Sequence, residues 1–443
     1  MSRLFGTDGM RGVAFEPPLD RNTVARLGSA LAHHLRGQGL PARVLLAGDT
    51  RASTPVLAAW LAQAFAASGG EVVWAGVLPT PAVSHLLRQA NGFGAGVVVS
   101  ASHNPAADNG IKLVSARGAK WPVEEEVRLE GGLAATPVLE VSGWLPREAE
   151  ELRPRYLEVL AQGLVGQPLA GLRLLVDAAQ GAASPVAAAF FSRLGADVEV
   201  LNASPDGKNI NDSCGALHPE GLARAVVEHG AHAGAAFDGD ADRAVLVTHT
   251  GRVLDGDDLL YIWGRHLDVT GMLPGRAVVA TVMSNLGLEV ALGRRGIRLV
   301  RCAVGDREVW ETMQREGIAL GGEQSGHIIC AHHAVTGDGL LTAAHVLAIA
   351  RAQQVTLEEM ADLAHFPQVL LNVRVSRRRP LKEVPELDGA IARAHAALGE
   401  MGRVLVRFSG TEPLLRIMVE AATDELAHHT AGQLAEVARR ELG

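Results

Sequence analysis

Short apolar runs alternate with amphipathic stripes along most of this chain, and that alternation most restricts what it can fold into. Val24, Leu27, Leu31 and Leu35 fall on one helical stripe that Gly37 stops. Val44–Ala47 then reads as a strand, Pro55–Ser68 as a helix, Glu71–Ala75 as a strand, Thr80–Gln89 as a helix and Val97–Ser100 as a buried strand. Strands that alternate with helices make parallel sheets with right-handed crossovers. The order recurs with strands at Leu172–Val176, Asp197–Leu201 and Ala233–Phe237, and again with Val278–Val282 and Arg298–Arg301 flanking a helix at Leu286–Arg294. Past residue 366 the pattern changes to strands at Val369–Val375, Val404–Arg407 and Leu415–Glu420, with helices around Ile391–Leu398 and Glu425–Leu442. The expected fold is therefore α/β: three similar α/β domains at 1–147, 148–250 and 251–366, plus a smaller C-terminal α+β domain at 367–443.

Composition removes several classes of function. Of 443 residues 48% are hydrophobic, enough for several cores, yet no run approaches the length of a membrane span. A net charge of −8 argues against a nucleic-acid partner. Cys214, Cys302 and Cys330 lie far apart without C-x-x-C spacing, which disfavours a structural zinc site or a disulfide framework and suits a reducing cytoplasm. The opening MSRLFGTDG lacks an apolar secretory core, so a cytoplasmic location is expected.

Four polar loops interrupt the pattern. Ser100–Gly110 follows the strand at Val97–Val99 and carries Ser102, His103 and Asn109-Gly110, with Lys112 just beyond. Loops at the carboxyl ends of parallel strands are where open α/β sheets hold ligands, and serine, histidine and lysine together offer a nucleophile and proton-transfer groups. Basic residues here are nearly all arginine, so Lys112 is not routine surface filler. Asp238, Asp240 and Asp242 stand at alternate positions of DGDADR. Three such carboxylates repel unless a cation lies among them, and oxygen-only ligands favour a hard ion, magnesium before zinc. An EF-hand is excluded, because Arg243 and His249 occupy the positions of its glycine and glutamate. GGEQSGH offers Glu323, Ser325 and His327 to a hydroxyl-bearing ligand; RFSGTEP, with Arg407, Ser409, Gly410 and Thr411, followed by Arg416, offers donors to a phosphate, or else is a plain hairpin loop. Near the start, FGTDGMRG carries Thr7, Asp8 and Arg11 within reach of an anion, or is a simple terminal turn. No phosphate-binding G-x-x-x-x-G-K-[ST] is present, and Ser100 and Asn104 stand where a G-x-S-x-G elbow needs glycines. A serine, a metal loop, a polyol loop and a phosphate loop on successive units converge on phosphoryl transfer between an enzyme serine and a sugar phosphate.

SASHNP at Ser100–Pro105, DGDADR, GEQSGH at Gly322–His327 and Arg407-x-SGTEP occur in the order found in the α-D-phosphohexomutase superfamily. The chain resembles that superfamily over its whole length and, through Gln324 and Asn209–Gly215, its phosphoglucosamine mutases. The resemblance implies four domains around a central cleft. It implies Ser102 as the phosphoserine, with Asp238, Asp240 and Asp242 binding one Mg2+ alongside it. Glu323, Ser325 and His327 would hold the sugar, and Arg407, Ser409, Gly410, Thr411 and Arg416 a phosphate. Arg11, His103 and Lys112 would serve as acid, base or charge-stabilising groups, with His327 a further candidate. The implied activity is that of an isomerase converting glucosamine 6-phosphate to glucosamine 1-phosphate through a bisphosphorylated sugar, on the route to UDP-N-acetylglucosamine and peptidoglycan. A hexose 1,6-bisphosphate is the implied activator. The implied partner is a small-molecule sugar phosphate rather than nucleic acid or a membrane, with a homodimer as an option. The alternatives are a phosphoglucomutase or phosphomannomutase, and a non-catalytic sugar-phosphate sensor.

Overall fold

The computed structural model describes residues 4–6, 8–409 and 413–443. They form two compact units, Met1–Thr281 with Cys302–Asp362, and Val282–Arg301 with Leu363–Gly443. In the first unit, strands β1 (Met10–Val13), β2 (Arg43–Gly48), β3 (Glu71–Val77), β4 (Ala95–Val99) and β5 (Asp108–Ser115) make a sheet of order β1-β5-β4-β2-β3. Strands β6 (Arg173–Asp177), β7 (Asp197–Leu201), β8 (Ala233–Phe237), β9 (Ala244–Thr248) and β10 (Val253–Leu254) repeat the plan as β10-β9-β8-β6-β7. After β11 (Ala277–Thr281) and β12 (Arg298–Cys302), strands β13 (Leu320–Gly322) and β14 (Ile328–Cys330) pair with each other, and β13 runs parallel to β11.

The expected parallel sheets are mixed. β2, β3 and β4 are parallel, as are β6, β7 and β8, but β5, β9 and β14 each return antiparallel to the preceding strand. β4, β8 and β13 are buried along their whole length, as are β9 and β14 and most of β5. A strand covered on both faces reads as one apolar run whichever way it points, so its direction is set by the hairpin before it rather than by its own pattern. The consequence for function is direct: residues 100–107, 238–243 and 323–327 are the same hairpin loop, three times over. The FGTDGMRG segment also differs from a simple turn. Met10–Val13 is an edge strand antiparallel to β5, with Arg11 opposite Gly110, too short and glycine-rich to show alternation.

The helix Arg21–Gly37 buries Val24, Leu27, Leu31 and Leu35 in a cluster that includes Leu57, Leu61 and Phe65 of the helix Thr54–Ala67. Asp20 caps it, accepting from Asn22 N (3.0 Å), Thr23 N (3.2 Å) and Thr23 Oγ1 (2.6 Å). Partial burial works against the charge, but these donors, Thr23 first, hold the carboxyl below its usual range. Asp20→Ala is expected to cost about 1 kcal/mol in urea denaturation, and Asp20→Asn much less; equal midpoints for Ala and parent would remove the cap from the account.

In the second unit, β15 (Gln368–Arg374), β16 (Arg403–Phe408) and β17 (Leu414–Glu420) form an antiparallel sheet of order β15-β17-β16. Helices Pro385–Leu398 and Asp424–Leu442 supply Leu387, Leu398, Leu434 and Leu442 to its core, with Val373, Leu415 and Ile417 from the strands. The first of these helices starts six residues earlier than Ile391. Pro385 suits a first helical position, and Glu386 and Asp388 complement the helix dipole.

Candidate active site

Ser102 follows β4 with φ +52, a left-handed conformation uncommon for a side-chain-bearing residue. The turn lifts its hydroxyl out of the sheet, where Oγ donates to Asp238 Oδ2 at 2.6 Å and lies 3.2 Å from His103 Nδ1. Its amide donates to Ser100 Oγ at 2.9 Å. Burial first, then Arg243 and Arg11, push His103 down to about 4, so this imidazole is neutral near pH 7. Arg11 donates to Ala101 O (3.2 Å) and Asn104 Oδ1 (3.4 Å) of the same loop, and pairs with Asp8. Asp8 thus accepts from cations rather than meeting an anion itself; Thr7 lies outside the described residues.

The aspartates follow β8 in the equivalent hairpin, with carboxylate oxygens of all three within 4.8 Å of one another. Lys112 on β5 reaches across to them, 2.8 Å from Asp240 Oδ2, 3.1 Å from Asp8 and 3.9 Å from Asp242. Burial opposes its charge, but Asp240 and Asp8 overcome this and hold the ammonium protonated far above neutral pH. Burial and the neighbouring Asp242 and Asp240 raise Asp238 well above the carboxylate range. Asp242 is held below it against burial, chiefly by His327 and then Lys112. Asp240 Oδ1 and Asp242 Oδ1 are buried with no hydrogen-bond partner among the described residues. Two such oxygens beside a third carboxylate, with no nitrogen or sulfur donor in the cluster, fit a hard divalent cation.

The third hairpin joins them. Ala244 N donates to Gly326 O at 3.2 Å. His327 Nδ1 lies 3.6 Å from Asp242 Oδ2. Glu323 accepts from Gly305 N (3.0 Å) and from Ser325 Oγ (3.4 Å). Gln324 instead donates to Asp255 Oδ2 at 3.1 Å, within the same unit. The structure therefore brings Arg11, Ser102, His103, Lys112, Asp238, Asp240, Asp242 and His327 together, with Glu323 and Ser325 on the adjoining hairpin.

The fourth loop lies in the second unit. Ser409 N donates to Leu414 O at 2.8 Å to close the β16–β17 turn. Arg407 and Arg416 stand directly opposite each other on these strands. Like charges in that relation repel, and a dianion between them would relieve it. Gly410 and Thr411 lie outside the described residues.

Comparison with known proteins supplies what geometry leaves open. Residues 2–137, 154–251 and 255–366 match the phosphoglucomutase/phosphomannomutase alpha/beta/alpha domains I, II and III, and residues 370–437 match its C-terminal domain. A phosphoglucosamine mutase of Solibacter usitatus is 47% identical over 444 residues, covering 99% of both chains. The chain belongs to the phosphoglucosamine mutase family. A phosphoglucomutase/phosphomannomutase family protein from Burkholderia thailandensis has the same fold, with TM-score 0.82, 25% identity and coverage of 99% of this chain and 97% of its own. An Aspergillus fumigatus N-acetylphosphoglucosamine mutase, solved with GlcNAc-6P and magnesium, superposes with TM-score 0.60 at 22% identity, covering 82% of this chain and 93% of its own.

Membership of this mutase family makes the protein an isomerase, a phosphohexomutase built from three α/β/α domains and a C-terminal domain. No helix among the described residues is long and apolar enough to cross a membrane. Two residues of the site were assigned no role from the sequence, although one of them, Asn211, lies in the Asn209–Gly215 segment that carries the resemblance. Arg51, between the strand read at Val44–Ala47 and the helix read at Pro55–Ser68, is 1% exposed. It donates to Asp49 Oδ2 (2.8 Å) and to the carbonyls of Ser102 (3.0 Å), Asn104 (2.8 Å), Asp108 (3.0 Å) and Pro105. Asn211 donates to Ser102 O (2.9 Å) and Asn104 O (3.2 Å). Together they gather the carbonyls of the Ser102 loop. Arg51's one available signal was its place just after β2, on the loop side of the sheet. A lysine presents one nitrogen where the guanidinium presents a fork. Arg51→Lys is thus expected to cost about 2 kcal/mol or more in stability, from buried carbonyls left unpaired, and to lower turnover. Thermal denaturation and a mutase assay check this, and a fully stable, fully active variant would contradict it.

Proposed function

We propose that this mutase interconverts glucosamine 6-phosphate and glucosamine 1-phosphate through phosphate carried on Ser102, supplying UDP-N-acetylglucosamine synthesis in the bacterial cytoplasm. The contact between Ser102 Oγ and Asp238 carries the reading, because it sets a hydroxyl on the edge of a cluster suited to a cation. Asp238, Asp240 and Asp242 would hold magnesium, the ion solved with the Aspergillus protein. When bound it would neutralise charge on the transferring phosphoryl group. The division into domains at residues 147, 250 and 366 belongs to the same proposal.

With Ser102 phosphorylated, a sugar hydroxyl oxygen attacks phosphorus, the bond to Ser102 Oγ breaks, and the hydroxyl proton passes to a base. Ser102 then holds its oxygen beside neutral His103, which can share the proton at Nδ1. Lys112 stays charged and stabilises the oxygens in flight rather than accepting a proton. After the bisphosphorylated sugar reorients, Ser102 Oγ gives up its proton and attacks the phosphorus of the other phosphate. The bond from that phosphorus to the sugar oxygen breaks, that oxygen takes a proton, and the sugar leaves with a hydroxyl there and the newly gained phosphate still attached. Glu323, Ser325 and His327 orient the sugar, and a hexose 1,6-bisphosphate would reload an enzyme that has lost its phosphate.

Arg407, Ser409, Gly410, Thr411 and Arg416 are proposed to grip the phosphate that is not reacting. Arg407→Ala should then raise KM about tenfold or more with the fold intact, and an unchanged KM would make the loop a plain hairpin. Substrate choice is tested by comparing kcat/KM for glucosamine 1-phosphate, glucose 1-phosphate and mannose 1-phosphate. The glucosamine compound is expected to lead. A higher value for glucose would overturn the amino-sugar assignment while leaving the mutase class intact.

A further inference from the structure

Between β14 and the helix Gly339–Gln353, the turn Thr336–Leu340 touches two of the three loops at once. Gly337 N donates to His327 Nε2 at 3.0 Å. Gly339 N donates to Ala241 O, inside the aspartate loop, at 3.0 Å. Neither position tolerates a side chain. A Cβ on Gly337 would come within 2.6 Å of the His327 ring, and one on Gly339 within 2.4 Å of Arg243 O. Between them Asp338 is wholly buried and caps the helix through Leu341 N (3.0 Å). Its other oxygen accepts from Tyr156 Oη at 2.8 Å and lies 3.3 Å from His85 Nε2. Tyr156 is also wholly buried and His85 nearly so. Burial and Asp338 itself keep the phenol protonated. Thr80, five residues before His85 on the helix Thr80–Gln89, donates to Asp240 Oδ2 at 2.6 Å.

We propose that Asp338, braced by Tyr156 and packed beside His85, is a positioning residue of the mutase that fixes the orientation of the His327 ring through the Gly337 amide. The amide holds the ring at Nε2, which also lies 3.9 Å from Asp306 Oδ2, and so sets where Nδ1 faces Asp242. The same turn ties the metal loop through Gly339, so one buried carboxylate sets the relation between the sugar-binding histidine and the ligand-bearing loop. Partners that orient a ligating or reacting side chain typically change activity about 10–100-fold when removed. The inference rests on the role proposed above for His327, but its geometry involves no sugar.

The test compares Tyr156→Phe, which deletes one hydroxyl, with Asp338→Asn, which keeps an acceptor for Leu341. Tyr156→Phe is expected to lower kcat about tenfold and Asp338→Asn about 10–100-fold, each with KM within about twofold and magnesium retained. Nitrogen-15 histidine spectra, with His327 assigned by difference against His327→Gln, should show the His327 ring resonances moved in Asp338→Asn. Unchanged kcat in folded variants, or unmoved His327 resonances, would overturn the proposal. Should Asp338→Asn not fold, Tyr156→Phe alone decides. A parent inactive on amino-sugar phosphates would sink the function proposed above, while the histidine spectra would still decide the positioning role.

Discussion

Ser102→Ala is expected to fold like the parent and to lose mutase turnover by at least about 10³-fold, since it removes the hydroxyl proposed to take and return the phosphate. The fold should survive for local reasons. The φ of +52 costs alanine about what it costs serine. Asp238 loses a donor at 2.6 Å, but it is already pushed toward its neutral form by burial and by Asp242 and Asp240. A variant with matching thermal stability and no turnover of glucosamine phosphate supports the assignment; one that keeps a tenth of the parental kcat contradicts it.

Removing the cation is expected to have an effect of similar size. Chelator should abolish turnover and magnesium restore it, and Asp240→Asn should lower kcat about 10³-fold. The stability change carries more information. Repulsion among three carboxylates, taken alone, predicts that an asparagine would stabilise the fold. Lys112 reverses that sign, because it is buried with its ammonium 2.8 Å from Asp240. Removing one partner of a buried ion pair leaves the other uncompensated. Asp8 at 3.1 Å still covers part of the charge, so the expected loss is about 2 kcal/mol in metal-free protein. A more stable Asp240→Asn would show that the aspartates' repulsion outweighs their attraction to Lys112.

What the sequence made legible, and what it hid, follows from the range of the forces involved. Strand and helix positions are written in local periodicity, and β7, β8 and the helix Thr80–Gln89 fall on the residues that periodicity picks. The return direction of β5, β9 and β14 is not local; it depends on which hydrogen bonds a buried apolar run makes with its neighbour. The serine and aspartate loops were legible because charge and hydroxyl groups directly after apolar strands are conspicuous. That their loops are equivalent hairpins in repeated sheets became visible only with the topology. Arg51 was hidden because a buried arginine and a solvated one are written with the same letter. Only the four carbonyls converging on its guanidinium, from Ser102, Asn104, Pro105 and Asp108, distinguish them. The alternation in DGDADR announced a metal loop, whereas the pairing of Arg407 with Arg416 across β16 and β17 needed the register.

The central claim is that phosphate resides on Ser102 between turnovers. Intact-protein and peptide mass spectrometry of active enzyme, quenched during turnover of glucosamine 6-phosphate, tests it most directly. The account predicts one phosphoryl group per active chain, located on Ser102 and absent from Ser102→Ala. Fully active enzyme with no phosphate on Ser102 in any preparation would contradict it.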